Sequence, residues 1–222
     1  KINAILDINR DNQYNIFPRN IDNNLNQWQE YSSVDFYFDF ETLNCQIKDQ
    51  NMDFIHNSQQ PQSLIFQIGI GWIENKKWCF KEFHVNNVTS LEERRILDKF
   101  FEFILYKSNQ IDPKKKYYPR LFHWTKAEIK NLNNANKNNE YRWNSFIDGT
   151  DIKYVDMHEV FTKEIIVVKG AYNFKLKSIG RAMYNLGKIK TLWPDTDITN
   201  GQIAMLEAIT YYQNKERKCL NN

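Results

Sequence analysis

Asp39 and Glu41 are the residues of this chain whose type and spacing point most directly to chemistry. They lie in Val34-Asp35-Phe36-Tyr37-Phe38-Asp39-Phe40-Glu41-Thr42, where aromatic and polar residues alternate. A period of two marks a half-buried strand and is of no use to a helix. Alternation sends Phe36, Phe38 and Phe40 to one face and Tyr37, Asp39 and Glu41 to the other. Two carboxylates side by side on one face repel each other unless a cation sits between them, so the pair points to a divalent-metal site. The competing account is the solvated outer face of an edge strand. Bulky apolar residues on either side of the pair weigh against it.

Something must position that strand. Residues 44 to 62 are polar, end at Pro61 and predict a loop. Leu64 to Ile73 reads as a long apolar strand, Asn75-Lys76-Lys77 as a turn, and Trp78 to Val85 as a third strand closing an antiparallel hairpin. Ser90-x-x-Glu93 reads as a capping box opening a helix through Ile96, Leu97, Phe100, Phe101, Ile104 and Leu105 to about Lys107. Arg120 to Trp124 predicts a short strand, after which Thr125 opens a helix. Ile152 to Asp156 is the next strand, followed by a helical run through Val160 and Phe161. Leu176, Ile179, Met183 and Leu186 line a helix stopped by Gly187, and Thr199 caps a last one striped by Ile203, Leu206 and Ile209. Three antiparallel strands followed by strand-helix alternation give an α/β protein with the ribonuclease-H-like layout. That layout is a mixed sheet, antiparallel then parallel, with helices on both faces and the Asp39 strand at its centre.

Composition bounds the rest. The chain of 222 residues is 41% hydrophobic and 15% aromatic, enough for one domain with a full core. Residues 1 to 33 are rich in Asn and Gln and read as an N-terminal extension, leaving 34 to 222 as the domain. No stretch is long and apolar enough to predict a membrane span, and no secretory signal is read at the start. Three scattered cysteines, Cys45, Cys79 and Cys219, indicate neither a disulfide framework nor a zinc site, so a reducing intracellular compartment is expected, that of the cytoplasm or nucleus, for a cellular or a viral protein. Net charge is only +3, but Lys114, Lys115, Lys116 and Arg120 cluster, as do Lys163, Lys169, Lys175, Lys177 and Arg181, with Tyr117, Tyr118 and Tyr172 among them. Cations mixed with aromatics suit single-stranded nucleic acid; solvated loops of a Lys- and Asn-rich protein account equally for each cluster alone.

With Asp39-Phe40-Glu41-Thr42 on the first strand of this layout, the chain resembles the DEDD superfamily of 3′–5′ exonucleases. Within it the nearest likeness is to the YprB-like, predicted RecB-family nuclease branch, whose domain is often one part of a larger protein or complex. The resemblance covers residues 34 to about 212. It implies that Asp39, Glu41 and Glu128 are catalytic carboxylates that hold two Mg²⁺ or Mn²⁺ ions. Glu128 follows from Phe122-His123-Trp124-Thr125-Lys126-Ala127-Glu128, which occupies the place of the family's second motif; Thr125-x-x-Glu128 also reads as a capping box. Asp156 in Tyr154-Val155-Asp156-Met157 resembles a structural or substrate-side Asp of relatives, and reads equally as a helix N-cap. Gly170 to Ile179 resembles a segment that turns Tyr172, Lys175 and Lys177 toward the nucleic-acid backbone, the competing account being an amphipathic helix with solvated lysines, and Thr42 and His123 are expected on the same substrate.

The chain departs from the family at the final motif. The run from Thr199 to Ala208 offers Gln202 where a general-base His would stand, and Gln cannot accept a proton; Glu207 is then the fallback fourth ligand. Trp193 with Gly201-x-x-Ala204-Met205 instead resembles a segment that precedes a Tyr-Asn-x-x-Asp run, and no such run occurs by Asn222. Two functions therefore compete. One is a two-metal 3′–5′ exonuclease on single-stranded DNA or RNA; the other is a module that has lost cleavage and binds nucleic acid or a partner protein in a larger assembly. A polymerase proofreading domain shares the first motif but would need a polymerase attached.

Overall fold

In the computed structural model, which describes residues 1–10, 14–22, 24, 27–44, 63–192 and 201–220, the strand of Asp39 is the middle one of five. In chain order the elements are α1 (Ile2–Arg10), β1 (Ile16–Phe17), β2 (Asp35–Asn44), β3 (Ser63–Glu74), β4 (Lys77–His84) and α2 (Ser90–Ile111). Then come β5 (Arg120–His123), α3 (Ala127–Asn138), α4 (Asn144–Ile147), β6 (Lys153–Asp156), α5 (Met157–Lys163), β7 (Val167–Val168), α6 (Leu176–Asn185) and α7 (Gly201–Leu220). The main sheet is mixed, in the order β4-β3-β2-β5-β6, and β1 pairs with β7 in a separate two-stranded sheet. The protein is thus α/β, as its strand and helix periodicities predict. The residues fall into two compact units. One takes Lys1–Tyr31, Phe122–Lys126 and Tyr154–Asp195; the other takes Ser32–Leu121, Ala127–Lys153 and Thr196–Asn222.

The larger unit is built on the antiparallel strands β2, β3 and β4. Phe36 faces Trp72, Phe38 faces Ile70 and Phe40 faces Ile68, so the apolar alternation of β2 meets that of β3 in register. Asn75 and Lys76 connect β3 to β4 with φ of 51° and 62°, the left-handed pair of a two-residue hairpin turn that matches strand twist. The apolar face is closed by α2, which packs on β3 and β4. Phe100 lies 5.9 Å from Phe38, 6.0 Å from Phe40 and 6.2 Å from Phe83, ring centre to ring centre. Arg95 donates to the His84 carbonyl at one end of this helix and Lys107 to Glu74 at the other.

The start of α2 corrects the sequence reading. Thr89, not Ser90, is the N-cap, its hydroxyl accepting the Glu92 N–H, and Glu93 is not a capping residue but a buried acid. The helix also continues four residues beyond Lys107 to Ile111. On β5, the buried Arg120 holds Asp35 through two bonds of 2.7 and 2.8 Å, a fork that locks the start of β2. The last helix, α7, packs against β2, and Tyr212 donates its hydroxyl to the Val85 carbonyl at 2.9 Å. Its expected apolar stripe is broken at Leu206, which is exposed.

The smaller unit gathers the residues expected as an extension. Ile16 and Phe17 of β1 pair antiparallel with Val168 and Val167 of β7. The Asn9 side chain on α1 accepts the Gly170 N–H and donates to the Ala171 carbonyl. Val168, Ala171, Ile179 and Ala182 form its core. As predicted, α6 ends at a glycine in the left-handed region, Gly187 at φ 66°. Asn44, expected to begin a loop over residues 44 to 62, instead ends β2; residues 45 to 62 lie outside the described residues, as do Trp193 and Thr199.

Candidate functional site

The alternation of β2 sorts its side chains as the sequence predicts. Phe36, Phe38 and Phe40 are buried, Asp39 is exposed, and Glu41 and Thr42 are half-buried. Asp39 faces Gly69 across the ladder and Glu41 faces Gln67. One oxygen of Asp39 accepts the N–H of Phe40 at 2.9 Å, which fixes the carboxylate against its own strand.

Directly after Glu41 the register shifts. Glu41 pairs with Gln67 but Thr42 pairs with Ile65, so Phe66 is an extra residue on β3. Such a bulge bends and twists the ladder and re-aims the side chains beside it. Two bonds secure it: the Phe66 carbonyl accepts the Val85 N–H at 3.0 Å, and the Ile65 N–H donates to Glu93 at 2.8 Å. Glu93 is only 3% exposed, and burial pushes its carboxyl up to about 7 despite that bond. This role is hidden in the sequence, because an acid in a helix's first turn looks like a cap. A buried stripe running through Glu93, Ile96 and Leu97 was the available signal.

Glu128 stands in the first turn of α3 and is buried; α3 packs on β3, where the Ser63 hydroxyl donates to Asn131 at 3.2 Å. The helix begins at Ala127, so Thr125 lies outside it rather than opening it. Glu207 is exposed on α7. The side chain of Gln202 is outside the description. Among the described residues no group of three or more His, Cys, Asp and Glu side chains is placed to hold a metal ion. What the larger unit offers is a pair of hard oxygen donors on one strand face. That donor set fits Mg²⁺ or Mn²⁺, which are held through one or two carboxylates with water and substrate phosphate completing the shell.

The smaller unit contains the other expected residues. His123 is buried, and its Nδ1 donates to the Thr125 carbonyl at 2.6 Å, since a carbonyl oxygen can only accept. Thr125 has φ +97°, an outlier for a β-branched residue. Its N–H donates to Asp156 at 3.2 Å, and the same oxygen accepts the Glu159 N–H at 3.1 Å. Asp156 is therefore the N-cap of α5, the structural of its two readings. Trp124 donates to the Phe174 carbonyl at 3.2 Å, tying this strained turn to the segment before α6. Tyr172 on that segment, Lys175 at the N-cap position of α6 and Lys177 in its first turn are all exposed.

Asp39, Glu41, Thr42, Glu128 and Glu207 thus belong to the larger unit, and His123, Asp156, Tyr172, Lys175 and Lys177 to the smaller. No protein-family model matches the chain, and no curated protein is significantly similar to it. Among the described residues no helix is long and apolar enough to cross a membrane.

Proposed function

We propose that this protein is a metal-dependent nuclease of the ribonuclease-H-like DEDD type, releasing nucleotides from the 3′ end of single-stranded DNA or RNA. The observation that carries the reading is the position of Asp39 and Glu41. They share one face of the central strand in a sheet ordered β4-β3-β2-β5-β6, and a bulge follows directly after Glu41. A like-charged pair on a central strand is kept at a cost to stability, and phosphodiester hydrolysis needs such a pair.

In this reading Asp39 and Glu41 hold the ions, with Glu128 and, at the fourth position, Glu207 as the remaining carboxylates. Bound Mg²⁺ or Mn²⁺ supplies an acidified water and charge neutralisation at the phosphate. The chain's own contribution is placement. The Phe40 N–H fixes Asp39, and the Glu93 bond to Ile65 holds the bulge that aims Glu41. On the smaller unit, taken by itself, exposed Tyr172, Lys175 and Lys177 offer an aromatic ring and two cations of the kind that bind a nucleic-acid strand.

The test is hydrolysis of a 3′-labelled single strand with Mg²⁺ or Mn²⁺, by the wild type and by the double variant Asp39→Ala, Glu41→Ala. Loss of transition-state stabilisation by several kcal/mol predicts a fall of about a thousandfold or more. Circular dichroism should be unchanged, because neither side chain is in the core. Activity that survives the double change sinks the assignment. A second reading, a nucleic-acid-binding module without cleavage, is favoured by the lack of a three-carboxylate group among the described residues. It predicts that the wild type binds strands and leaves them intact.

A further inference from the structure

The face of β2, β3 and β4 that carries Asp39 also carries three aromatic rings that no helix needs. Tyr37 is 40% exposed, and Trp78 and Phe80 are each 60% exposed. Tyr37 and Trp78 are in contact, with ring centres 5.6 Å apart. Beneath them β3 has Gly69 and Gly71, in a strand where glycine costs about 0.5–1 kcal/mol. The rings account for both glycines. A Cβ on Gly71 would come within 2.1 Å of the Trp78 ring, and one on Gly69 within 3.3 Å of the Phe80 ring.

The pairing shows which way the rings lean. Trp78 pairs with Ile73 but covers Gly71, while Phe80 pairs with Gly71 but reaches over Gly69. Both are displaced one step toward the row Asp39–Gly69–Glu82. Phe80 therefore ends beside the strand position that faces Asp39. Adjacent strands are about 4.8 Å apart, and Tyr37 and Asp39 are about 7 Å apart along β2.

We propose that Trp78 and Phe80, with Tyr37, form a stacking platform for the bases of a single-stranded nucleic acid whose phosphate lies at Asp39 and Glu41. This rests on the nuclease reading above. A protein partner covering these rings would have to bury Asp39 and Glu82 with them, a heavy desolvation cost. A nucleic-acid strand stacks its bases on the rings and leaves the carboxylates to a cation and its own phosphate. Paired bases have no free face to offer, so the platform selects unpaired strands.

The experiment compares wild type with Trp78→Ala, Phe80→Ala in the full chain. Binding of a fluorescein-labelled single-stranded oligodeoxynucleotide is read by anisotropy with Ca²⁺, which neutralises the carboxylates beside the phosphate, and hydrolysis by KM and kcat with Mn²⁺. Both side chains are on the surface, so the variant should fold, which circular dichroism checks. The platform predicts binding weaker by about tenfold or more and a matching rise in KM with kcat retained. A wild type that cleaves while the double variant binds equally well overturns the platform and leaves the nuclease reading standing. A wild type that binds through these rings but never cleaves supports the platform and overturns the nuclease reading. Concentration-dependent self-association that the double variant abolishes, without any strand binding, overturns the platform in favour of a contact between copies.

Discussion

The two faces of β2, β3 and β4 use the same kind of residue for opposite ends. On one face Phe36, Phe38, Phe40, Trp72 and Phe83 are buried, closed by Phe100 and Phe103 of α2 at ring separations between 5.2 and 6.2 Å. On the other, Tyr37, Trp78 and Phe80 stay exposed next to Asp39 and Glu82. An aromatic ring contributes to stability only when it loses its water, so the closed face supplies stability and the open face spends some of it. Retaining rings and like charges where burial would serve the fold better is a mark of function in the larger unit.

If the closed face carries the stability, removing its hub has the largest effect. Phe100 is fully buried and touches Phe38, Phe40, Phe83 and Phe101. Phe100→Ala should cost about 3–5 kcal/mol in urea unfolding. A loss under about 1 kcal/mol would mean that the two faces do not differ as argued.

Much of the open face was legible in the sequence, because a period of two is read without knowing what covers either side. Phe36, Tyr37, Phe38, Asp39 and Phe40 fall where alternation places them. The bulge was not legible. A shift of register depends on which residue of β3 faces Thr42, and pairing across strands leaves no local pattern in either one. Glu93 was misread for a related reason: an acid three residues after Ser90 has the spacing of a cap, and only the three-dimensional path of β3 brings the Ile65 N–H to it. The smaller unit was the least legible. Its strands β1 and β7 have two residues each, too short for any period, and are defined by pairing over about 150 residues of chain.

Glu93, which reaches from α2 to the Ile65 N–H of β3, gives the next largest effect. Burial pushes its carboxyl up to about 7 in the folded chain, from the ordinary value of about 4.5 that it regains on unfolding. From about pH 4.5 to 7 the folded state holds a proton that the unfolded state has released, so stability falls as pH rises through that window and is flat above it. A gap of this width is worth roughly 3 kcal/mol. Glu93→Gln keeps an oxygen acceptor for Ile65 and removes the titration. Its stability measured from pH 5 to 8 should lack the decline that the wild type shows. A parallel decline in both proteins would place the titration elsewhere.

The smallest effect tests the open face directly. Asp39 and Glu41 are like charges on one strand face, and neutralising one should relieve repulsion by about 0.2–1 kcal/mol in EDTA, the range of charged pairs on a sheet. Asp39→Asn keeps the oxygen that accepts the Phe40 N–H, so the strand itself is not disturbed. Added Mn²⁺ should then raise the Tm of the wild type and leave that of Asp39→Asn nearly unchanged, since a cation binding only the folded state stabilises it by mass action. The order of the two proteins would thus reverse between EDTA and Mn²⁺. If Asp39→Asn is less stable than wild type in EDTA, the carboxylate belongs to the fold, and the open face is not held at a cost.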